Sequence, residues 1–383
     1  MNSVSKFLWL NGIFDEKTIN SFLTINPAIN FWQKGFVYAL KNLDNPVEVV
    51  GYPVERVWPF GRLIVKQNQA ALLDGMRGSI IGYPNILFLR DMFQYYNLRG
   101  SIKKHYLSSK DKPTYQIVIS CLNNVSDESS SIRTAKYIRK KYNIPWICIV
   151  ADGVTPLGAD GYVYLSWSQY ELNKDRWPSI HIDGGIPTIK NIDSHNAYKE
   201  KILMYMGDLR QHGGALELAQ AFNKIENNDI KLWICGRGEN IGLQNLAKID
   251  SRIHLKGFVN DEELNELASM AFAFANPRPN AYAPNKLNYP SKILHYLSYQ
   301  KPIISTISNG FSPDLQDILI PIENESEIGL SNAIRNIFNL QARDYEHIQC
   351  CIRNFSTSHS WEYQVKKFLL WIESSVGIHD MIA

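Results

Sequence analysis

The sequence predicts two α/β domains, each built on a parallel sheet, and three observations predict them. Short apolar runs such as Phe7-Leu8-Trp9-Leu10, Val47-Glu48-Val49-Val50 and Ile202-Leu203-Met204-Tyr205-Met206 alternate with segments of helical spacing, the pattern of βαβ units. Several runs end in turn residues, as at Asn11-Gly12, Gly207-Asp208 and Gly236-Arg237-Gly238, where ligands of such sheets bind. Residues 188–199 are polar, with few large apolar side chains, and read as a linker. The domains are therefore expected at 1–187 and 188–357.

Composition narrows the classes. The 383 residues are 45% apolar and 20% charged, enough for sizeable cores, and a net charge of +3 is too small to argue for nucleic acid. No apolar run approaches the length of a transmembrane helix, and the first residues lack the pattern of a secretory signal. Five scattered cysteines show no Cys-x-x-Cys or Cys/His ligand spacing, so no metal site is expected and a reduced, cytoplasmic setting is.

In the first domain the strand at Phe7 leads through Asn26-Pro27-Ala28 into a helix containing Phe31, Val37, Leu40 and Leu43. Asn26 and Ala28 are candidates for a site at that loop. Trp58 and Phe60 lie in the next loop, where they could pack or line an acceptor site, packing being the commoner use of such side chains. A helical pattern spans 86–106, and strands follow at 115–120 and 144–150. The residues at their carboxyl ends, Asn123, Asn124 and Asp152, would point toward a ligand. A turn-forming Asp that caps backbone explains Asp152 equally well. Basic residues concentrate in 99–112 and 133–141. A solvated helix face is the usual explanation, and peripheral contact with an anionic membrane is the alternative.

In the second domain the strand at Ile202 ends in Gly207-Asp208-Leu209-Arg210-Gln211-His212-Gly213-Gly214, a turn that lets a phosphate approach the backbone. The next strand ends in Gly236-Arg237-Gly238. Another leads through Gly257 to Phe258-Val259. Pro290 and Ser291 then mark a helix start, with Ser291 as the expected cap. Lys292 follows, Ile293, Leu294 and Leu297 share one face, and Lys301-Pro302 ends the helix before a buried strand.

The ordered set Gly207, Gly236-x-Gly238, Gly257-Phe258-Val259, Pro290-Ser291-Lys292, Lys301-Pro302 and Trp361 resembles retaining GT-B glycosyltransferases, in particular glycosyltransferase family 4 of bacterial glycan assembly. The resemblance covers most of residues 200–375 and is looser before 190. It implies the GT-B fold: two Rossmann-like doubly wound domains facing a central cleft. It also implies that the C-terminal helix, about 358–383, crosses back to the N-terminal, acceptor-binding domain. The C-terminal domain would bind a nucleotide-sugar through Gly207, Gly236, Arg237, Gly238, Phe258, Val259, Asn288, Pro290, Ser291 and His295. Lys292, Arg210 and Asp152 would be the catalytic set, with no metal and no further cofactor.

This chain departs from that family where a pair of Glu residues is usual: it has Leu287 and His295. His295 can still hydrogen-bond a hydroxyl, Leu287 cannot, and Asn285 or Asn288 would serve the sugar instead. Arg210 would stand in for an Arg that here is Asp208. The implied activity is transfer of a sugar, from UDP-sugar by preference, to a hydroxyl of a glycan or lipid-linked acceptor. The rival is a catalytically inactive GT-B-like subunit that binds a partner transferase or a glycan. A GT-B epimerase or a Rossmann oxidoreductase is a third reading, opposed by the lack of Gly-x-Gly-x-x-Gly after the first strand.

Overall fold

The computed structural model describes residues 7–22, 24–68, 72, 75–106, 116–122, 129–151, 153–187, 201–282, 285, 289 and 291–376. The chain divides into two compact units, residues 1–185 with 361–383 and residues 186–360.

The first unit holds a seven-stranded parallel sheet in the order β4-β2-β1-β6-β7-β8-β9. Its strands are β1 (Phe7–Leu10), β2 (Val47–Gly51), β4 (Arg77–Ile80), β6 (Ile117–Leu122), β7 (Trp146–Val150), β8 (Gly161–Tyr164) and β9 (Ser179–His181). Two short strands, β3 (Ile64–Val65) and β5 (Tyr83–Pro84), pair antiparallel beside it. The helices are α1 (Glu16–Ser21), α2 (Pro27–Asn42), α3 (Arg90–Tyr106), α4 (Ser130–Tyr142) and α5 (Trp167–Asn173).

Both faces of this sheet are covered, so its strands are apolar throughout rather than alternating. In β1, Phe7 and Trp9 enter the core on one side, and Leu8 and Leu10 enter the core on the other. Trp32, Phe36, Val37 and Leu40 of α2 fill the first side; Leu98 and Ile102 of α3 and Ile132, Ala135 and Ile138 of α4 fill the second. Asn26 accepts from the Ala28 backbone N–H at 2.9 Å, with Pro27 in the first turn. Its side chain is thus committed to starting α2.

The second unit is a six-stranded parallel sheet in the order β12-β11-β10-β13-β14-β15. The strands are β10 (Lys201–Asp208), β11 (Ile230–Arg237), β12 (Ile253–Gly257), β13 (Ala273–Asn276), β14 (Ile303–Ser305) and β15 (Ile320–Pro321). Around them lie α6 (Ala215–Asn223), α7 (Ile241–Ile249), α8 (Asp261–Met270), α9 (Lys292–Ser298), α10 (Pro313–Gln316), α11 (Glu327–Phe338) and α12 (Ala342–Ser358). Again the parity of one strand serves two cores: Leu203 and Tyr205 face one, Ile202, Met204 and Met206 the other.

The last helix, α13 (Trp361–Ser375), belongs to the first unit. It packs on α2 through Trp361, whose ring meets Trp32 edge-on at 5.5 Å and Phe36 at 6.5 Å. Val365, Phe368, Leu369 and Ile372 continue the same buried face. The return of this helix is the arrangement the resemblance implies.

Of the two uses expected for Trp58 and Phe60, burial in the core is not what the structure shows. They are 52% and 84% exposed on the loop between β2 and β3. No helix among the described residues is long and apolar enough to cross a membrane.

Candidate active site

The expected site residues of the second unit gather at the carboxyl edge of its sheet. Gly207 and Gly236 sit side by side at the ends of β10 and β11. A Cβ on Gly236 would lie 1.7 Å from the Gly207 carbonyl oxygen, so the two strand ends approach as only glycine permits. Gly207 has φ 157, and a Cβ there would lie 3.0 Å from the Tyr205 hydroxyl and 3.4 Å from the Lys292 amine. A floor of close-packed glycine backbone beside the Lys292 amine results.

Tyr205 shapes the turn that follows. Its hydroxyl donates to the Asp208 carbonyl at 2.6 Å and lies 3.2 Å from the Gly213 carbonyl, drawing residues 208–213 into a closed turn. The turn ends at Gly214, φ 77, where a Cβ would meet the Pro277 carbonyl at 2.1 Å. Tyr205 is an aromatic in an otherwise aliphatic strand; that is the only sequence signal it carried.

Lys292 opens α9 and places its amine 4.3 Å from the centroid of the Tyr205 ring. Burial pushes its pKa well below the usual lysine range; nearby Arg278 pushes the same way and Asp208 opposes. The helix itself is fixed by Tyr296, whose hydroxyl accepts from the Met206 N–H at 2.9 Å and bonds to the Met206 and Ala275 carbonyls. That ties α9 to the ends of β10 and β13. Ser291 does not cap α9 as expected. Its φ and ψ of −52° and −21° are already helical, whereas a cap needs extended backbone to turn its hydroxyl onto the helix N–H groups.

Arg210 reaches back to Asp208 instead of outward. Its Nε lies 2.9 Å from both carboxylate oxygens, its Nη2 also bonds to Asp208, and its backbone N–H donates to the same carboxylate at 2.8 Å. Burial would raise the Asp208 pKa, but these bonds hold the carboxyl below its usual range. His212 lies 3.6 Å from the same carboxylate; its pKa is lowered by burial and by Arg210, Arg278 and Lys292. The turn therefore carries one carboxylate among several cationic side chains.

Gly238, φ 118, lies beside Arg210 and Asp208. The Arg237 guanidinium stacks 3.8 Å from the centroid of the Phe258 ring, while Val259 packs into the core. His295, one turn beyond Lys292, has its Nε2 3.2 Å from the Tyr299 hydroxyl, which in turn bonds Asn265. Lys301 has a structural role: its amine donates to the carbonyls of Ala268, Ser269 and Ala271 and caps the C-terminus of α8.

Asn285 is also structural. Its amide donates to the His212 and Pro279 carbonyls at 2.9 and 3.0 Å, and its oxygen accepts from Arg278 at 2.6 Å. It is 3% exposed and pins the 276–285 segment to the 208–213 turn, which leaves its amide no free edge for a sugar. Glu217 at the start of α6 and Asn276 at the end of β13 each keep one buried oxygen without a partner among the described residues. Neither stood out in the sequence, because a Glu in a first turn and an Asn after a strand are ordinary there.

Asp152, Asn288 and Pro290, together with Asn123, Asn124 and Leu287, lie outside the described residues. Among the described residues no group of three His, Cys, Asp or Glu side chains is placed to hold a metal ion.

A sequence model of the family described as glycosyl transferases group 1 matches residues 200–339, the span that contains the glycine floor, the closed turn and α9. No curated protein sequence matches the chain. Solved structures match it across both units. A glycosyltransferase from Rickettsia africae is 12% identical with a TM-score of 0.65, over 97% of this chain and 98% of that one. Anabaena HepE, solved with UDP and glucose, is 11% identical with a TM-score of 0.63, over 97% and 100%. The catalytic domain of starch synthase IV from Arabidopsis thaliana, bound to ADP and acarbose, is 10% identical with a TM-score of 0.65, over 98% and 100%. At such identities the likeness is one of fold, and the fold is GT-B.

Proposed function

We propose, from the match of residues 200–339 to the family described as glycosyl transferases group 1, that the chain is a retaining glycosyltransferase using a nucleotide-sugar, UDP-sugar by preference. The acceptor is a hydroxyl of a glycan or a lipid-linked saccharide. On this reading the protein meets the inner face of a membrane peripherally, through the basic stretches 99–112 and 133–141.

The observation that carries the reading is the glycine floor at Gly207 and Gly236 with the Lys292 amine beside it. A diphosphate can approach backbone N–H groups only where no Cβ intervenes, and a single amine aimed there complements its charge. In the transfer, the bond from the sugar's anomeric carbon to the diphosphate oxygen breaks, and its electron pair leaves with the phosphate. Lys292 and Arg237 stabilise that developing charge, joined by Arg210 if it releases Asp208. The bond from the anomeric carbon to the acceptor oxygen forms on the same face, and the acceptor's proton passes to a phosphate oxygen. Protein cations supply the stabilisation, so no metal is assigned. The nearby solved structures holding UDP or ADP support a nucleotide in a fold of this kind.

A second reading, a catalytically inactive GT-B-like subunit, draws on two contacts: Arg210 is spent on Asp208, and the His295 ring is engaged by Tyr299. One experiment separates the two. The protein is titrated by calorimetry and thermal shift with UDP, GDP, TDP and ADP, then with their sugars, without metal. Stabilisation by one nucleotide, abolished in Lys292→Ala with the fold intact, supports the transferase. Absence of binding to all of them in a folded protein favours the inactive subunit.

A further inference from the structure

The first unit carries an apolar surface that its own cores do not use. Trp58 and Phe60 project from the loop between β2 and β3; Leu87 and Phe88, 56% and 90% exposed, project from the segment between β5 and α3. The two segments are bound together. The Trp58 N–H donates to the Asn85 carbonyl at 3.2 Å, the Asn85 N–H to the Leu63 carbonyl at 2.8 Å, and the Asn85 amide to the carbonyls of Arg56 and Arg62. The aromatic tips are therefore parts of one built surface. Phe88 also has φ 66, a left-handed backbone that a bulky side chain disfavours. In water both its conformation and its exposure are unfavourable, and such placements point to a use.

The surface continues along α3. At the helical repeat Met92, Tyr96, Arg99 and Lys103 fall in one narrow stripe of α3, the helix that Phe88 precedes by two residues. The stripe runs from apolar to cationic. At its cationic end α3 and α4 enclose a cavity of about 220 Å³, lined by Arg99, Lys103, Tyr137 and Tyr142 over Ile102 and Ile138, with no acidic residue. The Arg99 guanidinium stacks 3.6 Å from the centroid of the Tyr137 ring and donates through Nη1 to the Tyr95 hydroxyl at 3.2 Å, which fixes its charge at the mouth of the cavity. The sequence of α4 includes Arg133, Lys136, Arg139, Lys140 and Lys141 and no acidic residue; of these, Arg139 forms an ion pair, with Asp160.

We propose that this face seats on an anionic lipid bilayer, with the aromatic tips at the acyl boundary and lipid phosphates against the cations of α3 and α4. Aromatic side chains with apolar bodies beside Lys and Arg are the composition of an interfacial anchor. A two-fold pairing through the middle of this face would lay the cations of one copy on the aromatic tips of the other, where they meet no counter-charge. The inference deepens the functional reading above and rests on it, because a lipid-linked acceptor is met at such a surface. The basic stretches of the sequence supply only half of the site; the apolar half comes from two loops without basic periodicity.

The test is flotation of the full chain with vesicles of phosphatidylglycerol or of phosphatidylcholine, with no nucleotide present. Binding to the anionic vesicles is expected, with little to the zwitterionic ones, and it should weaken as salt is raised. Phe60→Ser with Phe88→Ser should lower partitioning at least about tenfold. Lys140→Ala and Lys141→Ala should each lower it about fivefold at low salt. Brominated lipid should quench a component of the tryptophan emission that is missing in Trp58→Phe. No binding to phosphatidylglycerol, or binding that survives both sets of substitutions, would overturn the proposal. Lipid-free self-association abolished by Phe60→Ser with Phe88→Ser would overturn it too, and assign the face to a second copy. UDP binding is measured on the same variants, so failure of the membrane proposal and failure of the donor reading are seen separately.

Discussion

The Lys292 amine stands over the Tyr205 ring, 4.3 Å from its centroid, at the point where β10 gives way to the glycine turn. The aromatic face offers the ammonium some compensation for lost water, but no acceptor oxygen among the described residues hydrogen-bonds it. Burial and Arg278 together depress its pKa. A diphosphate arriving there would reverse the balance by bringing negative charge to the amine.

Nucleotide binding should therefore take up a proton at pH values between the pKa of Lys292 in the free protein and its higher pKa in the complex. By linkage, affinity then falls with rising pH, by at most about tenfold per unit for one proton. Calorimetry in buffers of different ionisation heat, at about pH 7 and about pH 9, measures the uptake directly. An uptake that persists in Lys292→Met would assign the proton to another group. Zero uptake at both pH values would mean that the free amine is already charged.

The glycine floor itself is tested at Gly236. Gly236→Ala places a methyl 1.7 Å from the Gly207 carbonyl oxygen, and the obstacle is backbone, so the strand ends must separate. A loss of about 1–3 kcal/mol in stability is expected from such overpacking, with a larger proportional loss of nucleotide affinity. Gly257→Ala is the comparison: φ there is 71 but nothing lies within 4 Å of the new methyl. It should cost only the left-handed conformation, about 1–2 kcal/mol, and leave affinity closer to that of the unmodified protein. Equal effects on affinity in both variants would count against the glycine floor as the phosphate site.

The pH dependence of folding has a contribution from His295. Burial lowers its pKa, although Asp261 pulls the other way. Above about pH 6.5 the ring is neutral in both states and adds nothing to the slope. As the pH falls below that value the unfolded chain takes up a proton that the folded one resists, so stability is lost until the folded pKa is reached. The urea midpoint should fall more steeply between about pH 6.5 and about pH 5 in the unmodified protein than in His295→Gln. Parallel curves would show that the ring titrates alike in both states.

Strands that are apolar on both faces were plain in the sequence, because a doubly covered strand needs no alternation: β1, β7, β10 and β11 are all of this kind. β4 was not visible. Its Arg-Gly-Ser-Ile has no strand pattern, and it forms because Gly78 lets its backbone close on Val49 of β2, where a Cβ would lie 1.8 Å from the carbonyl oxygen. The glycine turns and Lys292 could be read as phosphate-binding chemistry because that chemistry depends on backbone and charge. Which side chains point outward could not be read. Asn285 is consumed by His212, a residue far away in the chain, Arg210 turns back on Asp208, and Trp58 and Phe60 face solvent. Each outcome is decided by partners that local sequence does not name.

Two helical glycines should respond to alanine with opposite signs. Alanine is favoured over glycine in a helix interior by about 1 kcal/mol. At Gly100 in α3 nothing lies within 4 Å of the added methyl, so Gly100→Ala should raise stability by up to about that amount. At Gly35 in α2 the methyl would lie 2.2 Å from the ring of Trp361. That ring has no slack, since a Cβ on Gly185 would also lie 2.3 Å from it and Trp32 holds its edge. Gly35→Ala should therefore lose about 1–3 kcal/mol despite its better helix propensity, by displacing the first turn of α13. Urea denaturation followed by near-ultraviolet circular dichroism, which reports the Trp32–Trp361 packing, measures both effects. A Gly35→Ala protein as stable as the unmodified one would mean that α13 can shift freely, and that Trp361 is not what fixes it to the first unit.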